Sequence, residues 1–135
     1  MVNEDYYREL LHLVKELGME RFVSFGGYSN DVFSLFGTHH ALIMCSRNEA
    51  FGRVTLESLL AGRPVIGADS GGTSEMITNG QNGLLYRAGE AGDLCQRMID
   101  LSNEYPMFDS RAISEAARKK FNRGNTLKQL EEIFK

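Results

Sequence analysis

The sequence predicts an α/β fold, a Rossmann-like parallel sheet with helices on both faces. Three observations lead there. The short apolar runs "HALIMCS" (His40–Ser46), "PVIGA" (Pro64–Ala68) and "GLLY" (Gly83–Tyr86) lack polar alternation, the pattern of strands buried on both faces. Helix-period segments separate these runs, and strand–helix alternation is how a parallel sheet is written. The glycine-bearing polar stretches "GGYSND", "SRNEAFG" and "ADSGGTSE" each follow a strand. The topology therefore gathers them at the carboxyl edge of the sheet, where ligands of such folds bind.

The elements follow in order. Asn3 to Leu17 predicts an amphipathic helix, with Tyr7, Leu10, Leu11, Val14 and Leu17 on one face and Gly18 as its stop. "RFVSFGG" (Arg21–Gly27) reads as a strand ended by glycines, and Asp31 to Phe36 as a short helix. After the His40–Ser46 strand, Arg53 to Ala61 forms a helix through Val54, Leu56, Leu59 and Leu60, stopped by Gly62. The Pro64–Ala68 strand leads to a short helix over Thr73–Thr78 and a turn at "NGQNG" (Asn79–Gly83). "GLLY" is the last strand. Ala91–Leu101, Ser110–Phe121 and Thr126–Phe134 complete the chain as helices.

The 135 residues fit one domain, read here as residues 1–135. With 42 % apolar residues, 8 Phe and 5 Tyr, the chain has the composition of a folded protein. A net charge of −3 and a pI of about 5.6 argue against nucleic acid or an anionic membrane as the main partner. No apolar run approaches the roughly 20 residues of a membrane span, and "MVNEDYYREL" is too acidic for a signal peptide. Cys45 and Cys95 have no Cys or His at metal-ligand spacing, which suits a reducing cytoplasm.

The chemistry concentrates in "NEAFGR", between a strand and a helix. Gly52 has no Cβ, so the backbone near it can approach a ligand closely. The helix that follows leaves its first N–H groups unpaired and carries partial positive charge, an arrangement that favours phosphate. Glu57 lies in its first turns, and helical side chains lean toward the N-terminus, so its carboxylate can reach the same mouth. A carboxylate does not pair with phosphate without a cation, but it pairs well with sugar hydroxyls. Two carboxylates, Glu49 and Glu57, beside free N–H groups therefore suit a ligand that is part sugar and part phosphate.

Plainer readings compete. "SRNE" fits a capping box of Ser46 and Glu49, yet it stands too far before the helix to account for both glutamates. Glu57 taken alone is an ordinary solvated helix residue. His39 and His40 have no acid or Cys nearby and read as structural or surface residues. Cys45 reads as strand packing, and Gly71–Gly72 as a turn. A receiver-type signalling domain would need an acidic cluster around an Asp and a Lys after a late strand, and neither is present.

The stretch "NEAFGRVTLESLLAGRPVIGADSGGTSEMITNGQNGLLY" resembles the donor-binding half of the group-one, GT-B-fold retaining glycosyltransferases. The family's mark is Glu, seven residues, Glu, then Ala-Gly-x-Pro-Val and Gly-Gly-x-x-Glu. Here these are Glu49 and Glu57, Ala61 to Val65, and Gly71 to Glu75. The looser likeness covers almost the whole chain. It implies that Glu49 contacts the transferred sugar as the catalytic residue. The backbone at Ala50, Phe51, Gly52 and Arg53 would meet sugar and diphosphate. Thr55 would lie against the phosphate, Glu57 would hold the ribose, and Gly27 and Tyr28 would border the base. It further implies a nucleotide-diphosphate sugar as co-substrate, no metal and no other cofactor, retention of anomeric configuration through front-face attack, and a hexose passed to a glycan or lipid-linked acceptor. Bacterial surface polysaccharide synthesis is the implied setting, in the cytoplasm or at the inner face of the membrane.

The chain also departs from the family. It has no match to the acceptor domain or to the first two strands of the donor domain, with their diphosphate-gripping Arg/Lys pair. Arg47 and Arg53 are nearby cations at other positions. The expectation is a partial C-terminal donor domain, inactive alone, whose missing strands fall between "RFVSFGG" and "HALIMCS". Those two strands then pair directly, or exposed sheet edges recruit another copy. A non-catalytic nucleotide-sugar module working with a separate acceptor subunit is the alternative.

Overall fold

The computed structural model describes residues 3–46, 49–122 and 124. They divide between two compact units, residues 1–30 and 31–135.

The first unit holds α1 (Glu4–Glu16). Asn3 caps it, its side chain accepting from the N–H groups of Asp5 and Tyr6, and Glu4 and Asp5 complement the helix dipole. At the far end Gly18 takes φ +64°. Its N–H donates to the Lys15 carbonyl, and that of Met19 to the Val14 carbonyl, so a left-handed residue closes the helix. The apolar stripe of α1 is exposed or half-buried, with Tyr7 edge-on to Phe25 at 5.2 Å. The expected strand Arg21–Gly27 is not formed: turn bonds run from Phe22 and Val23 to the Met19 carbonyl, and residues 23–29 join no ladder. An apolar run becomes a strand only against a partner. Phe22 remains 79 % exposed.

The second unit is the α/β body. Its sheet has three parallel strands in the order β1 (Leu42–Met44), β2 (Val65–Ala68), β3 (Gly83–Tyr86). The registers Ile43↔Ile66 and Ile66↔Leu84 align these three side chains on one face. On that face Ile43 and Ile66 line a groove with Met98 and Leu101 of α5 (Ala91–Glu104). On the other, a side chain at Gly67 would strike Thr73 and Ile77, so α4 (Gly71–Met76) crowds the opposite surface. Helices thus cover both faces. The core comprises Leu59, Val65, Ile66, Met76, Ile77, Leu84, Tyr86, Leu101, Phe108 and Ile113, each fully buried aliphatic side chain contributing about 1.5–3 kcal/mol.

β2 is buried at all four positions because a strand lies on either side. β1 is not buried on both faces as expected. It has one neighbour, Ile43 is 40 % exposed, and Cys45 stands exposed beyond the strand rather than packed inside it. Two further helices carry β1 and β2: α2 (Val32–Thr38), capped by Asp31, and α3 (Arg53–Leu60). α6 (Ser110–Lys120), capped by Asp109, packs on α3, and the Ser114 hydroxyl donates to the Leu60 carbonyl. Arg63 ties the end of α2 to the 3-10 turn Tyr105–Met107, donating to the carbonyls of Phe36 and Gly37 and to the Tyr105 hydroxyl. That turn was not expected from the sequence. The α4 helix begins two residues earlier than the pattern predicts, at Gly71, and α5 runs three residues further. His39 donates from Nδ1 to the Leu35 carbonyl, and His40 stacks edge-on against Tyr105, both structural roles. The expected helix Thr126–Phe134 lies outside the described residues.

Candidate functional site

The loop after β1, the start of α3 and the start of α4 meet at the carboxyl edge of the sheet. Gly52 caps α3 in the left-handed region, φ +75°, and supplies no side-chain cap. The first helical bond runs from the Leu56 N–H to the Gly52 carbonyl, which leaves the earlier N–H groups without an intrahelical partner. A non-glycine residue here would be strained and would press on the Thr73 hydroxyl, 3.2 Å from its Cβ.

The two glutamates stand on either side of this mouth. Glu49 is half-buried, and its Oε1 accepts from the Gly52 N–H at 3.3 Å. Its carboxylate thus covers one of the amides that a ligand would use. The capping box of Ser46 and Glu49 is not formed: no helix starts at Ser46, and Glu49 instead reaches forward to Gly52, the residue that caps α3. Glu57 keeps its side chain 22 % exposed, with Oε1 3.5 Å from Arg53 Nε. Its Oε2 is buried with no hydrogen-bond partner among the described residues. Glu57 is therefore not the solvated helix residue that its position alone suggests.

Beneath Gly52 lie two more polar groups. Thr55 and Thr73 are fully buried, and neither hydroxyl has a partner among the described residues. Buried polar atoms are nearly always paired, so three orphans at one helix mouth mark a place built for something else to bond. Phe51 and Arg53 point outward, both largely exposed, and Ala50 before them is exposed as well. A cleft of about 370 Å³ opens beside Ala50 and Phe51, closed at its far side by Lys120, whose Nζ donates to the Glu75 carbonyl.

Sequence reasoning missed Thr73 and the part played by Gly71–Gly72. The glycines are more than a turn. The Gly72 N–H donates to the Glu49 carbonyl at 2.8 Å, and a Cβ at Gly72 would lie 2.7 Å from the Ala50 carbonyl oxygen. Gly71, at φ +57°, sits equally close to the Glu49 backbone. Only glycines let α4 press against the loop and hold it. The signal for this was the glycine pair itself, one strand after the loop. Of the other site residues, Gly27 (φ +68°) and Tyr28 (90 % exposed) belong to the first unit. Arg47 lies outside the described residues.

Comparison with known proteins identifies the family. Residues 3–120 match the family described as Glycosyl transferases group 1. The chain is 31 % identical over 129 residues to the N-acetyl-alpha-D-glucosaminyl L-malate synthase of Bacillus anthracis, covering 93 % of this chain and 33 % of that one. It is 34 % identical over 85 residues to the lipopolysaccharide core biosynthesis glycosyltransferase LpsE of Rhizobium meliloti, covering 62 % of this chain and 25 % of that one. Among solved structures, Anabaena HepE in complex with UDP superposes with a TM-score of 0.85 at 28 % identity, over 97 % of this chain and 37 % of HepE. The chain spans about a third of the length of these relatives. The sheet, the paired glutamates at the α3 mouth and the match over residues 3–120 agree: this chain belongs to the group 1 glycosyl transferases.

Proposed function

We propose that these residues form the donor half of a retaining glycosyltransferase. It takes a hexose from a nucleotide-diphosphate sugar and passes it to a glycan or lipid-linked acceptor in bacterial surface polysaccharide synthesis. One observation carries the reading: near an uncapped helix N-terminus stand buried polar atoms that lack partners among the described residues, Glu57 Oε2 and the hydroxyls of Thr55 and Thr73. The amides invite phosphate, and the orphaned carboxylate oxygen invites a hydroxyl donor such as a ribose. The complexes of HepE with UDP and with UDP-glucose support the same ligand class.

In this reading each residue at the α3 mouth takes one role. The diphosphate sits at the N–H groups of Gly52 and Arg53, with Thr55 beneath. Glu57 accepts from the ribose hydroxyls. Glu49 leaves the Gly52 amide and accepts from the hydroxyls of the transferred sugar. Negative charge on the departing diphosphate is met by preorganised amides and the helix dipole, which supplies much of the rate in such a reaction. No metal is required by this scheme. The site works in the cytoplasm, and among the described residues no helix is long and apolar enough to cross a membrane. These 135 residues bind donor, and transfer requires acceptor-binding elements supplied alongside them.

Calorimetric titration with UDP-, GDP- and ADP-sugars, with Glu57→Ala in parallel, tests this. Loss of the hydroxyl acceptor should weaken the preferred donor by about 1–3 kcal/mol. Unchanged affinity removes Glu57 from the site. A radiolabelled-donor assay tests transfer: robust turnover by the 135 residues alone contradicts the division of labour.

A further inference from the structure

We infer that the Arg53 side chain is a cation for the donor diphosphate, and that it exchanges Glu57 for the phosphate when the donor binds. The inference rests on the reading of the α3 mouth as a donor site. It begins with a residue that the helix itself does not favour. Arg53 is the first residue of α3, and no acid stands in that first turn. A cation at a helix N-terminus opposes the macrodipole. Its one recorded ion pair, with Glu57 four residues on, has the less favourable order, because the acid is best placed N-terminal to the base. Contact at 3.5 Å with an 83 % exposed guanidinium is a loose tether. A rule broken at one residue, offset among the described residues only by a loose ion pair, points to a partner that arrives later.

An anion at the mouth reverses each of these signs. A diphosphate on the open amides makes the N-terminus locally negative, so a guanidinium on the first turn becomes favourable. Helical side chains lean toward the N-terminus, so the exposed Arg53 side chain is free to swing toward the amides that would hold the phosphate. The buried, unpartnered Thr55 and Thr73 hydroxyls beneath Gly52 are independent signs that this mouth accommodates a ligand. Glu57 completes the exchange. Among the described residues its Oε2 has no partner and its Oε1 only Arg53, so departure of the guanidinium leaves both oxygens open to a pair of hydroxyls. One contact thus couples two parts of one ligand: phosphate draws Arg53 away, and the ribose receives the carboxylate that Arg53 releases.

The test separates phosphate from ribose. The protein, with Arg53→Leu and Arg53→Lys, is titrated calorimetrically with UDP, GDP and ADP and with uridine, guanosine and adenosine, at two salt concentrations. For the nucleotide that binds, Arg53→Leu should weaken the diphosphate about tenfold. It should leave the nucleoside equal or tighter and reduce the salt dependence of diphosphate binding. Arg53→Lys should restore most of the diphosphate affinity. Equal loss for diphosphate and nucleoside, or no loss for either, overturns the exchange. A thermal melt guards against misfolding: ligand-free Arg53→Leu should melt no lower than wild type, and a lower melting temperature makes Arg53 a structural residue and overturns the inference. If wild type binds a diphosphate and Glu57→Ala weakens it while Arg53→Leu does not, the donor site stands and only the exchange fails. If wild type binds none of the three diphosphates, the donor site fails and the exchange with it.

Discussion

Gly72→Ala isolates the contact that holds the site loop in place. Its backbone is ordinary for any residue, so the substitution adds one methyl group and no backbone strain. That methyl would lie 2.7 Å from the Ala50 carbonyl oxygen and 2.9 Å from the Phe51 backbone. Ordinary contact begins near 3.4 Å, so the overlap is roughly 0.5–0.7 Å, and every obstructing atom is backbone. No side chain can rotate away. The loop and α4 must separate by about half an ångström, which stretches the 2.8 Å bond from the Gly72 N–H to the Glu49 carbonyl. Overpacking of this size costs about 1–3 kcal/mol, or roughly 3–15 °C in melting temperature for a chain of this length. Because Glu49, Phe51 and Gly52 move with the loop, nucleotide affinity should fall about three- to tenfold as well. Thermal unfolding by circular dichroism, with calorimetric nucleotide titration, reads both effects. Gly92→Ala is the control: nothing stands near its Cβ in the first turn of α5, and it should melt at the same temperature or higher. If Gly72→Ala melts and binds like wild type, the glycine pair is not what positions the loop, and the reasoning fails.

Three more outcomes follow from the same geometry. Leu59→Ala, at the fully buried centre of α3, should cost about 2–5 kcal/mol in urea unfolding; a cost under 1 kcal/mol would mean the core collapses around the gap. Thr55→Val replaces an unpartnered buried hydroxyl with a methyl, so the ligand-free protein should be equally stable or gain up to about 1 kcal/mol. A clear loss would show that the hydroxyl is bonded. Asp93 has its carboxyl held below the ordinary value, first by the hydrogen bond from the Arg87 N–H and then by the charges of Arg87 and Arg97, with burial acting the other way. A depressed folded value gives stability that is complete above the unfolded carboxyl's pKa of about 3.9 and disappears as pH falls through the folded value. Acid titration of stability should therefore be less steep in Asp93→Asn, and an identical slope would remove Asp93 from the account.

Some of this molecule is local in origin, and that part was legible in the chain. Helix α1 announces its start in Asn3 and its stop in Gly18, because caps act within a few residues. The order of strands and helices follows from apolar periodicity. The placement of "NEAFGR" at the sheet's ligand edge follows from that order. The series from Glu49 to Glu75 was enough to identify the family.

The rest depends on what lies across space. "RFVSFGG" has the composition of a strand, yet a strand needs a partner, and the described residues supply none. β1 is as apolar as β2, but with a neighbour on one side only it leaves Ile43 and Cys45 exposed. Gly71 and Gly72 read as a turn until α4 is seen against the loop, because close approach of two backbones has no signature in either one alone. Glu57 looks solvated by its helical position, and becomes a half-buried carboxylate with one orphaned oxygen only once Arg53 and the mouth are in place. The sequence by itself determined most of the elements, their order and the family, since propensity, capping and periodicity are short-range. Tertiary structure decided which apolar runs found partners and which polar atoms were left without one, since burial and hydrogen bonding are settled by neighbours distant in the chain.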